Sequence, residues 1–299
     1  MSTDTVQSPL GVTSGGEPAL PPTFARAEGR FGDDVRAVRI VWRRELIRFG
    51  RNRLRIVTSL VQPVLFLFVL GTGLSGIVVS AGHFDFRTFM FPGVVAMTVL
   101  FTSIFSAISI VWDREFGFLR EMLVAPVSRW SLVLGKCLGG ATVATIQGAI
   151  MLALAGAVGV PYEPKLLAIM LGEMALTAFA LTAFGVLVAS RIAQVESFQI
   201  VTQFLVLPMF FLSGAVFPIG DLPVWLKVLT RFDPLSYAVD PLRRAVFAYV
   251  HVPPALAKAL SAGMTWDGYR LPTLLEIGLV AAASVVLLGV AIVQFSRTD

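Results

Sequence analysis

Six apolar stretches, each long enough to cross a bilayer as a helix, constrain this chain more than any other feature. They fall at about 56–79, 89–111, 133–159, 165–189, 198–219 and 273–295. Crossing about 30 Å of hydrocarbon takes about 20 helical residues. Barrel strands are excluded, because they need only about 9–11 residues and alternate strictly between apolar and polar. Charge supports this: only 14% of the 299 residues are charged and 56% are hydrophobic, whereas a soluble domain carries about 25% charged residues. So few charges would leave large apolar patches uncovered on a water-soluble globule. The expected fold class is an all-α polytopic membrane protein with six transmembrane helices, the six-span domain occupying residues 56–299.

Ahead of the spans, residues 1–31 are rich in Ser, Thr, Gly and Pro without an apolar period, as in Ser14-Gly15-Gly16-Glu17-Pro18. That composition predicts a disordered tail, and no signal-peptide core stands in it. From 32 to 55 the pattern changes. Val35, Val38, Trp42, Leu46 and Phe49 recur at helical spacing, with Arg36, Arg43, Arg44 and Arg48 on the other side. An amphipathic helix of this kind suits the membrane–water interface, with arginines toward anionic headgroups. With the N-terminus inside, sixteen of the 24 Lys and Arg fall on the cytoplasmic side. Six of the eight outside residues lie in one long connection, where the positive-inside rule is weakest. The expectation is therefore a multi-pass cell-membrane protein with both termini in the cytoplasm. The basic charge of +5 then reports topology, and no nucleic-acid partner is expected.

The residue inventory removes most chemistry. The single cysteine, Cys137, sits in an apolar run and reads as a buried thiol. His83 and His251 lack carboxylate or cysteine neighbours at ligand spacing, so no metal site is expected. Neither a Gly-x-x-x-x-Gly-Lys-Ser/Thr phosphate loop nor a Gly-x-Ser-x-Gly elbow occurs. No catalytic residue and no cofactor on this chain is expected.

Two connections are more organised than simple links. Between spans two and three, Trp112 to Pro126 carries five charges, yet Phe116, Leu119 and Leu123 recur at i, i+3 and i+7. The pattern predicts a short amphipathic helix stopped by Pro126, whose apolar side something else must cover. Between spans five and six, Ser213-Gly214 allows a bend. Asp221-Leu222-Pro223 reads as a helix start with Asp as cap, and a second helix is expected over about 234–249. Two short helices entered through a glycine bend suggest re-entrant elements.

The run Asp113-Arg114-Glu115-Phe116-Gly117-Phe118-Leu119-Arg120-Glu121-Met122-Leu123-Val124-Ala125-Pro126-Val127-Ser128-Arg129 resembles the cytoplasmic loop of ABC-2 type permeases, the membrane subunits of ABC exporters such as daunorubicin-resistance permeases. Leu212-Ser213-Gly214-Ala215-Val216-Phe217-Pro218 is similar to that family too, as is Phe232-Asp233-Pro234-Leu235-Ser236-Tyr237-Ala238-Val239-Asp240-Pro241-Leu242-Arg243-Arg244. The family usually shows Asn-Pro where this chain has Asp233-Pro234. The resemblance implies an exporter half that pairs as a homodimer or with a sister permease. It recruits separate ABC nucleotide-binding subunits, which carry the ATP and Mg. The 112–126 helix would then dock on the ATPase through Phe116, Leu119 and Leu123, with Asp113, Arg114, Glu115, Arg120 and Glu121 as polar contacts. An amphiphilic or lipid-like substrate could pass along Phe101 and Phe105 in span two and Phe204, Phe210 and Phe211 in span five.

Inside the bilayer, Glu173 in span four is expected to face the bundle, hydrogen-bonded to a neighbour such as Gln147 in span three. Gly135 and Gly139 open span three with a spacing that permits close helix packing, and Lys136 beside them is placed to snorkel to the boundary. Two other functions stay open at this point. One is a gradient-driven secondary transporter, for which Glu173 stands nearly alone. The other is an integral-membrane enzyme acting on lipids, for which no nucleophile or acid–base pair is evident.

Overall fold

A computed structural model describes residues 31–78, 85–117, 128–250, 263–266 and 269–297. The expected tail, both histidines and residues 118–127 of the organised connection lie outside the described residues.

The fold is helical. α1 (Phe31–Arg51) precedes α2 (Arg53–Leu65), which passes through a π-helical segment at Phe66–Leu70 into α3 (Gly71–Val78). Pro63 lies inside α2, where its ring takes one N–H out of the ladder, and the helix widens within a turn of it. The second span is α4 (Phe86–Ser106) continued, after a break at Ala107, by α5 (Ile108–Glu115). There follow α6 (Arg129–Leu152), α7 (Pro164–Ala189), α8 (Val195–Leu212), the short α9 (Val224–Phe232) and α10 (Ser236–Phe247), a two-stranded hairpin, and α11 (Thr273–Arg297). Six of these helical stretches are long and apolar enough to cross a membrane.

Two spans end earlier than expected. α6 closes at Leu152 rather than near 159, because Ala155–Val158 winds into a tight 3-10 turn that ends on Gly159 at φ +76. α8 closes at Leu212 rather than near 219, because Gly214 takes φ +74, a left-handed turn that other residues avoid. The first helix after this bend also begins later. Pro223, not Asp221, occupies the cap position of α9, and no side chain caps it.

The core forms around α4. This helix is apolar on every face, with Phe89, Met90, Phe91, Val95, Met97 and Leu100 wholly buried, the expected fate of a helix lacking a polar stripe. α6, α7 and α10 pack around it. By contrast α2, α8 and α11 leave most of their apolar surface uncovered, as lipid or a partner subunit requires.

α1 is not a free-lying helix. It packs along α6, where Gly135 and Gly139 let the two backbones meet: a Cβ on Gly139 would fall 2.7 Å from the Cβ of Glu45. The glycine spacing therefore serves packing within the subunit. The covered face of α1 runs through Asp34, Val38, Val41, Trp42 and Glu45, while Val35 stays exposed. That face is rotated from the expected apolar stripe because two carboxylates find partners on it. Asp34 accepts hydrogen bonds from the backbone N–H and hydroxyl of Ser128 at the start of α6.

Candidate functional site

At the α1 end of the bundle the residues leading into the 112–126 connection grip four other helices. Asp113 is nine-tenths buried, and its Oδ2 accepts from Lys136 Nζ at 2.5 Å and from Arg44 Nη2 at 3.1 Å. Lys136 also donates to Ser109 Oγ at 3.1 Å and lies 3.5 Å from Glu45 Oε1. This cluster ties α1, α5 and α6 together with two cations and two carboxylates. Arg114 donates to the carbonyls of Ser190 and Ile192 at 3.0 and 3.3 Å. These lie at the C-terminal end of α7, where carbonyls lack helical partners and the helix dipole favours a cation. Glu115 Oε2 accepts from the backbone N–H of Val195 at 3.0 Å, supplying an anion to the N-terminus of α8. Three consecutive charged residues thus reach three places, each matched to the local charge.

This arrangement corrects several expectations. Lys136 does not snorkel: it is 8% exposed and paired inward. Asp113, Arg114 and Glu115 are engaged within the subunit rather than held out as a polar rim. Nor does one helix run from Trp112 to Pro126. α5 ends at Glu115, and Gly117 at φ +79 terminates it, with Gly117 N–H donating to the Arg114 carbonyl. Glycine just past the last turn is the commonest helix stop, so the helix that carries Asp113 to Glu115 does not continue through Phe116. Phe116 itself is 70% exposed just past the end of α5. Leu119, Arg120, Glu121 and Leu123 lie outside the described residues.

Beside the hub a cleft of about 450 Å³ opens between α1, α2, α4 and α6. Phe101 and Phe105 stack in it at 6.2 Å, and Gln147 lines its wall. Gln147 accepts from Thr102 Oγ1 and donates to Ser59 Oγ and the Ile56 carbonyl, joining three spans. At the mouth Arg48 stacks over Trp112 at 4.9 Å, and Arg55 donates to the Phe105 carbonyl at 3.3 Å. That carbonyl sits in the last turn of α4, just before the break at Ala107.

The remaining candidates lie elsewhere. Phe210 is in the core, edge-on to Phe66 at 5.8 Å; Phe211 is partly and Phe204 largely exposed on α8. The three aromatics of span five therefore do not form one wall with Phe101 and Phe105. Glu173 does not meet Gln147, whose amide is fully engaged by α2 and α4. It lines a small cavity with Tyr237, Ala238 and Pro241, and its buried Oε2 has no hydrogen-bond partner among the described residues.

At the opposite end, Asp233 caps α10 through the Leu235 N–H at 3.0 Å and the Ser236 hydroxyl at 3.1 Å, and burial pushes its carboxyl up to about 7. Arg244 joins Asp240 at 2.5 Å to Glu276 at 3.3 Å, clamping α10 on α11. Buried Arg243 donates to the Gly214 carbonyl and lies 4.2 Å over Phe89, which holds the glycine bend against α4.

The hub was partly legible. A carboxylate at the end of one span and a lysine one turn inside the next lie at similar depth, and that signal was available. The roles of Glu45, Arg48 and Arg55 were not, since they depend on α1 folding back along α6.

Residues 36–247 match the family described as ABC-2 type transporter. The chain is similar to Nodulation protein J of Rhizobium leguminosarum bv. trifolii, 32% identical over 68% of this chain and 78% of the relative. It is 30% identical to Nodulation protein J of Rhizobium meliloti (strain 1021) over 68% of this chain and 78% of the relative. It is also similar to the "Probable multidrug ABC transporter permease YbhR" of Escherichia coli (strain K12), 31% identical over 53% of this chain and 43% of the relative.

Proposed function

The chain belongs to the ABC-2 type transporter family and is a membrane permease subunit of an ABC transporter; from that premise we propose that it is half of an ATP-driven exporter of amphiphilic or lipid-like molecules. Hydrolysis of ATP with Mg takes place on a separate nucleotide-binding subunit. The α1 end faces the cytoplasm, with both termini there. The ATPase docks on the tip of the 112–126 connection, where Phe116, Leu119 and Leu123 supply apolar anchors and Arg120 and Glu121 the polar contacts. Asp113, Arg114 and Glu115 carry the push inward instead of touching the partner. A second copy, or a paired permease, covers the exposed surfaces of α2 and α8.

One observation carries this proposal: an exposed aromatic tip whose base is fastened by charge to α1, α6, α7 and α8. A force applied at such a tip reaches four helices through contacts that are buried or matched to helix ends. The Lys136–Asp113 pair at the centre, less than a tenth exposed, weakens little with salt because solvent screens it poorly.

Vesicles holding the purified permease with its ATPase test the proposal. Accumulation of amphiphile is expected to require ATP and to be indifferent to proton or sodium gradients. Gradient-driven transport in ATP-free vesicles would contradict it and favour a secondary transporter.

A further inference from the structure

We propose that the cleft beside the hub binds a single-chain amphiphile with an anionic headgroup, holding the headgroup between Arg48 and Arg55 and the chain against Phe101 and Phe105. The inference rests on the permease reading and names the chemistry of what enters.

The charge balance around the cleft is the first argument. Lys136 and Arg44 are balanced by Asp113 and Glu45, all within ion-pair distance. Arg48 and Arg55 have no such partner: among the described residues neither lies within 4.0 Å of a carboxylate. The mouth therefore carries two guanidinium groups outside any ion pair, with Glu45 acting on Arg55 only from beyond that distance. Each guanidinium has five N–H donors. Stacking on Trp112 commits none of those on Arg48, and Arg55 spends one on the Phe105 carbonyl. Phosphate, sulfate and carboxylate oxygens match that fork geometry.

The interior supplies the second argument. Deep in the cleft Gln147, Thr102 and Ser59 satisfy one another, while the Glu45 carboxylate on the wall is held in ion pairs with Lys136 and Arg44. What remains for contact is the stacked Phe101–Phe105 pair. A charged mouth on a self-satisfied, aromatic-lined interior suits a molecule that is ionic at one end and apolar at the other. A volume of about 450 Å³ lies in the lower part of the range of small-molecule pockets, which suits one chain.

The test uses full-length permease with its ATPase partner in nanodiscs. Two photoactivatable probes share one chain bearing a diazirine: a lysophosphatidic acid and a lysophosphatidylcholine. Peptide mapping is expected to find label in 59–63 and 101–105 with the phosphate probe, and far less there with the choline probe. Arg48→Gln with Arg55→Gln should lower cleft labelling by about ten-fold, the loss of charge-assisted hydrogen bonds. Arg48→Lys with Arg55→Lys should retain much of it, which separates lost charge from misfolding. Equal cleft labelling by the two probes would overturn the proposal, as would label confined to exposed residues outside the cleft such as Val285 on α11. Displacement of the probe by millimolar inorganic phosphate would indicate a site for the bare anion and would also overturn it. ATP-driven transport is measured on the same preparation. Lost transport with cleft labelling intact contradicts the exporter reading alone, whereas transport without cleft labelling contradicts this inference alone.

Discussion

Phe116→Asp combined with Leu123→Asp leaves the six spans inserted and the subunit folded, but removes the ATPase from the purified complex. Folding survives because Phe116 takes no part in the hub. Phe116 is largely exposed and follows the end of α5, while Asp113, Arg114 and Glu115 keep their inward contacts. Binding does not survive, because an apolar anchor at the centre of an interface is worth about 2–4 kcal/mol and its replacement by a carboxylate adds a desolvation cost. Two such losses together exceed about 4 kcal/mol, close to a thousand-fold in affinity. The measurement is the ratio of ATPase to permease after affinity purification through the permease. A stoichiometric complex with full ATP-dependent export would remove the docking assignment.

The second large effect belongs to the hub. Lys136→Met takes away the cation nearest to Asp113, in a place where both side chains are less than a tenth exposed. Breaking a buried pair by removing one member costs about 3–5 kcal/mol. Arg44 remains 3.1 Å from Asp113 and is partly exposed, so the loss should fall toward the lower end. A loss of that size corresponds to a fall in melting temperature of roughly 6–12 °C for a chain of this size. Adding Asp113→Leu to Lys136→Met removes the orphaned carboxylate, and much of the stability should return, since apolar replacement of a buried pair is often neutral. Melting of the purified subunit in detergent checks both variants. An unchanged melting temperature for Lys136→Met would mean that the pair does not hold α1 and α5 on α6.

The spans were legible because a stretch of about 20 apolar residues has few other fates. Their ends were less so: the stop after Leu212 depends on Gly214 taking a left-handed turn, which a glycine permits but does not require. The same applies to Gly117. The i, i+3, i+7 spacing of Phe116, Leu119 and Leu123 runs across Gly117, whose left-handed φ closes α5. Phe101 and Phe105 are one turn apart on a helix, so their stacking was readable locally. Phe204, Phe210 and Phe211 point to different sides of α8, and nothing in their spacing tells which side meets the core. Glu173 and Gln147 illustrate the larger obstacle. Both are polar residues within apolar spans, but α2 supplies partners to Gln147, and α10 and α11 line the cavity beside Glu173. Such long-range pairings follow from the tertiary arrangement rather than from either local sequence.

The central claim is that the connection carrying Phe116 faces the compartment where ATP is hydrolysed. Phe116→Cys in a Cys137→Ala background places one reactive thiol at the tip, since Cys137 is the chain's single cysteine and is buried. A membrane-impermeant maleimide should leave this thiol unlabelled in intact cells and label it in inside-out vesicles washed free of the ATPase. Labelling from the outside of intact cells would contradict the account.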